Sequence, residues 1–134
     1  MKRIIAIVCL LAITVLMLAS CGVNFEAMKS KLEKNDYEVT YVTKAMIEKN
    51  DTSELSTTEK MIYASIETLV SDSSVKGVLI GVNTKNLFDI KTVAVIEFES
   101  EDDAKECAEA LGEEAVRSGK VVYMGDEDSI KIVK

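Results

Sequence analysis

Residues 92 to 112 read TVAVIEFESEDDAKECAEALG, and a change of period inside that stretch decides the kind of fold. Thr92 through Ile96 is apolar at nearly every position and rich in β-branched residues, the pattern of a strand buried on both faces. From Ser100 the period becomes helical. Ser100-Glu101-Asp102-Asp103 is a Ser-x-x-acid start, in which the serine oxygen can take a free amide of the first turn. Ala104, Cys107, Ala108, Leu111 and Ala115 then fall on one apolar stripe. Asp102, Glu106, Glu109 and Glu113, spaced i, i+4, i+7 and i+11, form an acidic stripe on the outer face. A strand running into an amphipathic helix predicts a sheet with helices packed against it.

Working outward, Val75 to Val82 is a second strand, with Gly77 and Gly81 marking a bulge or close backbone packing. The loop from Asn83 to Lys91 is too long for a tight hairpin. Ser56-Thr57-Thr58-Glu59 is a capping box, and Ile62, Ile66, Leu69 and Val70 give its helix one apolar face. Residues 49 to 56 are polar and loop-like, and 44 to 48 fit a helical turn without requiring one. Tyr37 to Val42 reads as a strand. Before it, residues 24 to 34 form a helix: Asn24 can cap it, Phe25, Met28 and Leu32 recur on one side, and Asn35-Asp36 suits the left-handed residue that ends it. Downstream, Gly119 closes the helix that Ser100 opened, and Lys120 to Met124 is the last strand. Residues 129 to 133 fit either a short strand or a terminal turn.

The predicted order is a helix followed by β-α-β-β-α-β. That class is α+β, and the six central elements match the ferredoxin-like split βαβ arrangement with a four-stranded antiparallel sheet. The run from Ile96 to Leu111 resembles the passage from third strand to second helix in ferredoxin-like domains, including the dimeric α/β-barrel group. This is likeness of fold and carries no function with it. Because the strands are apolar at every position, both sheet faces need cover. Two helices cover one. The other falls to the N-terminal helix, through Phe25, Met28 and Leu32, or to a protein partner or second copy docked on the sheet face. The helix is preferred, since its stripe otherwise has nothing to bury against.

Toward the N-terminus, Met1-Lys2-Arg3 is basic and Ile4 through Leu18 is apolar apart from Thr14. That is the layout of a secretory signal, and it is short for a membrane span of roughly 20 residues. Leu18-Ala19-Ser20-Cys21 then resembles the lipobox of bacterial lipoprotein precursors. The resemblance implies a signal peptide over residues 1–20 and a mature chain of residues 21–134 forming one acidic domain. Cys21 would become its first residue, thioether-linked to diacylglycerol and held on the extracytoplasmic side of the cell membrane. By the same resemblance Cys9 would leave with the signal, so Cys107 alone would keep a thiol and no disulfide would form within one mature chain; without lipidation a Cys21–Cys107 bridge becomes conceivable.

Composition narrows the function classes. The 134 residues include no histidine, tryptophan or proline. The commonest general acid-base and metal ligand is therefore missing. The net charge is −7, which argues against nucleic acid, because phosphate binding needs clustered Lys and Arg. Removing Lys2 and Arg3 with the signal leaves 14 bases against 23 acids, a net charge of −9, and the excess acid lies beyond residue 50. The acidic stripe is an ordinary solvated face of an amphipathic helix, a docking surface for a basic partner, or a weak divalent-cation site. Gly125-Asp126-Glu127-Asp128-Ser129 offers oxygens but lacks the EF-hand spacing, so it reads as a polar turn. Cys107 lies on the apolar stripe among acids and reads as a small buried hydrophobe. No catalytic residue, metal or cofactor is assigned. The expectation is a lipid-anchored, non-enzymatic binding or interaction module. The alternative is a carboxylate-based enzyme or enzyme subunit with its site on the sheet.

Overall fold

The computed structural model of the chain describes residues 24–71 and 74–134. Helix α1 (Phe25–Lys34) opens on Asn24, whose Oδ1 accepts from the Ala27 amide at 3.1 Å. It closes on Asp36 at φ 67°, with the amides of Asp36 and Tyr37 returning to the carbonyls of Glu33 and Leu32. That is a Schellman ending, with an acid where glycine is usual. Strand β1 (Glu38–Thr43) follows, then the six-residue helix α2 (Lys44–Lys49), which the Thr43 hydroxyl caps. The Ser56–Glu59 box forms in both directions: the Glu59 amide donates to Ser56 Oγ at 3.3 Å, and the Ser56 amide to Glu59 Oε1 at 3.2 Å. It opens α3 (Thr57–Ser71). Strands β2 (Val75–Asn83) and β3 (Lys91–Phe98) come next. Then follow α4 (Glu101–Leu111), β4 (Ala115–Ser118), β5 (Val121–Gly125) and a closing helix α5 (Glu127–Val133).

The α+β class stands, and the sheet is antiparallel throughout, but it has five strands in the order β1-β2-β3-β5-β4. Two expectations are corrected. The helix opened by Ser100 does not run to Gly119. It stops at Leu111, where Gly112 adopts φ 71°, and Ala115 becomes the first residue of the edge strand β4. Gly119, at φ 60°, then takes the first position of the two-residue turn to β5, where a tight hairpin needs a positive φ.

The second correction concerns pairing. In a split arrangement one helix carries the chain back from β1, so the next strand runs parallel and a third strand separates the two. Here β1 pairs directly and antiparallel with β2, Tyr41 opposite Leu79. The reason is a second traverse. β1 ends opposite Gly77, near where β2 begins. The start of α3 lies at the other end of the sheet, where Thr58 and Ile62 share a groove with Thr92 and Asp126. Residues 44–56 therefore run the length of the sheet before α3 brings the chain back. A split unit does occur later: β3 and β4 both pair antiparallel with β5, so they point the same way with β5 between them.

Both faces of the sheet are buried. On the first, Tyr63, Ile66 and Val70 of α3 and Ala104 and Cys107 of α4 pack with Val78, Ile80, Ile96 and Phe98. On the second, Met28 and Leu32 of α1 pack with Leu79, Val93, Val95 and Tyr123. The N-terminal helix thus covers that face, joined by α5 through Ile130 and Val133. Tyr37 Oη and the buried Ser129 Oγ, 2.5 Å apart, tie the end of α1 to α5.

Candidate functional site

Leu18, Ala19, Ser20 and Cys21 lie outside the described residues. The nearest described residue is Asn24, and a groove of about 410 Å3 opens beside it, lined by Asn24, Phe25, Glu26, Lys29, Tyr41 and Leu79. The Phe25 and Tyr41 rings meet with centroids 4.9 Å apart. Tyr41 lies across Gly77, in space that a Cβ there would fill. Farther along the same face, the β3 carboxylate Glu97 is 7% exposed, and Lys76 Nζ stands 3.6 Å from its Oε1. A carboxylate so far from water needs a cation or donors about it, and Lys76 brings the charge. Burial pushes the Tyr41 hydroxyl pKa up, and the negative charge of Glu97 adds to it. Sequence reasoning passed over Glu97, although an acid inside an apolar strand was the available signal.

The acidic stripe divides. Asp102, Glu106 and Glu109 are exposed on the outer side of α4. Glu113 is exposed too, but it sits in the single 3-10 turn Gly112–Glu114 beyond the helix. Their neighbours are engaged: the Ser74 amide donates to Asp103 Oδ2 at 3.2 Å, and Arg117 pairs with Glu101 at 3.3 Å. Among the described residues no group of three or more Cys, Asp or Glu is placed to hold a metal ion. A separate groove of about 560 Å3, between α2, α3 and the start of β2, gathers Glu48, Glu67 and Glu99. Lys44 holds Glu99 there at 3.0 Å.

The segment Gly125–Ser129 works as the entry to α5. Asp126 Oδ2 accepts from the Thr92 amide at 2.7 Å, and Asp128 pairs with Lys91 at 2.8 Å. Lys91 holds the Asp128 carboxyl below its usual range, and Asp128 raises Lys91 in return. Acids also suit the positive end of a helix dipole. Cys107 is 2% exposed, and burial pushes its thiol up to about 11, which removes the thiolate a nucleophile needs.

Among the described residues no helix is long and apolar enough to cross a membrane. No protein family, curated protein or solved structure matches the chain.

Proposed function

We propose that this chain is a small lipoprotein, exported, cut before Cys21, and held to the extracytoplasmic side of the cell membrane by a diacylglyceryl group on that cysteine. There it serves as a non-enzymatic interaction module. The observation that carries the reading is how closely Leu18-Ala19-Ser20-Cys21 precedes the folded body. Asn24 already caps α1, so only Gly22 and Val23 intervene. Three residue steps span at most about 10 Å. A lipid on that sulfur holds the domain against the headgroups, with no flexible tether to move it away. Each buried CH₂ of the acyl chains contributes about 0.8 kcal/mol, and two chains suffice for stable attachment.

Charge supports one orientation. Helix α1 carries Lys29, Lys31 and Lys34 against Glu26 and Glu33, whereas α4, on the opposite face of the sheet, carries five acids against Lys105 alone. Lysines close to anionic headgroups are each worth about 1 kcal/mol, and acids are repelled. The α1 layer therefore faces the bilayer and the α4 layer faces away. The burial of both sheet faces under helices fits work done by outer surfaces better than work done on the sheet. The test is Cys21→Ser in the full chain: the protein should leave the membrane fraction and keep the size of the uncut precursor. A variant that still sediments with membranes would overturn the anchor.

A further inference from the structure

The loop between β2 and β3 is built to display apolar side chains. Phe88 is fully exposed, Leu87 is 75% exposed and Ile90 43%. Isolated exposed hydrophobes are ordinary, but three within four residues at one loop tip are not. The loop is also held in shape. Asn83 Oδ1 accepts from the Lys85 amide at 3.0 Å and Asn86 Oδ1 from the Phe88 amide at 3.1 Å, two Asx turns in succession. The Asp89 amide closes onto the Asn86 carbonyl at 3.0 Å. Lys85 pairs with Asp36 at the end of α1, and Lys91 pairs with Asp128 of α5, so both shoulders are fastened to the body.

We propose that Leu87, Phe88 and Ile90 form the docking knob of this domain, and that its occupant is a protein presenting an apolar pocket edged by Lys and Arg. The inference rests on the interaction-module reading and deepens it. Charge selects the occupant. The lysines flanking the knob, Lys85 and Lys91, are paired with Asp36 and Asp128, and Asp89 adds a further negative charge close to Lys91. A loop that entered anionic lipid would keep its lysines for the headgroups. A second copy would bring a net charge of −7 against its own kind. The knob also lies at the far end of α1 from Asn24, about 15 Å along a ten-residue helix, to one side of the anchor. A rigid aromatic anchor entering a pocket within a complementary charged rim is the usual anatomy of a binding hot spot.

The test places a photo-crosslinking benzoylphenylalanine at position 88 of the full chain in cells, with the same group at exposed Lys60 as control. The expected result is an adduct with one protein from position 88 and none from Lys60. Purified, that protein should bind the full chain in detergent micelles, at least tenfold more weakly with Phe88→Ser or Leu87→Ser, and more weakly as salt is raised. Both variants should keep the thermal midpoint of the parent, since both side chains are exposed. Adducts with lipid alone, with a second copy alone, equally from both positions, or with nothing would overturn the proposal, as would an affinity within twofold of the parent for Phe88→Ser. A Phe88 adduct formed by a Cys21→Ser protein that still sediments with membranes would uphold the knob and sink only the anchor.

Discussion

Ser129 is a small residue with a large structural role. Its hydroxyl and that of Tyr37 meet across 92 positions of sequence inside the second core. Replacing Ser129 by alanine leaves the buried Tyr37 hydroxyl without that partner, a cost of about 1–3 kcal/mol. Urea unfolding should show it as a lower midpoint with an unchanged slope. No local signal marks this pair, because neither residue's neighbours reveal that α1 and α5 lie side by side. Cys107 is the opposite case, legible from its place on the stripe beside Ala104 and Leu111. With Cys9 and Cys21 replaced by serine, iodoacetamide at pH 8 should leave native Cys107 unmodified and alkylate it promptly in denaturant. Asp128 bears on pH. Its carboxyl is held low in the folded chain by Lys91, so the pairing stabilises the fold above the ordinary carboxylate pKa. That contribution is lost as pH falls through the lowered value. Acid titration of Asp128→Asn should show a weaker fall in stability across that acid range than the parent.

At the scale of elements, the start signals were the most legible feature. The Ser56, Ser100 and Asn24 caps all form, because each needs only residues within one turn. Stops and pairings were less so. The residues Gly-Glu-Glu-Ala-Val-Arg-Ser, 112 to 118, continue the helical rhythm of α4, and only Gly112 argues against it. The hairpin that replaces the expected helix turns on Gly119. Gly119→Val should cost about 1–2 kcal/mol, the penalty of a left-handed backbone in a residue with a Cβ, read as a lower thermal midpoint. Likewise the return path of residues 44–56 has no strong periodicity, so the direct pairing of β1 with β2 was hidden. The covering of the second face was legible, because unbroken apolar strands demand it. Leu32→Ala, which hollows that layer, should destabilise by about 2–5 kcal/mol.

In the whole molecule, two unlike helical layers enclose one sheet, and Cys21 precedes the first cap, Asn24, by three residues. Reversing Lys29, Lys31 and Lys34 to glutamate should tilt the lipidated domain on anionic bilayers. Depth-dependent quenching of a probe on α1 would then fall, while on neutral lipid it would stay as in the parent. What the molecule touches was less legible than how it is built. An exposed Phe88 becomes conspicuous only when the fold shows that none of the described residues covers it. The most direct measurement is the intact mass of the protein recovered from membranes. The account predicts a chain beginning at Cys21, heavier than residues 21–134 by a diacylglyceryl group, with or without an N-acyl chain. An unmodified mass retaining residues 1–20 would contradict it.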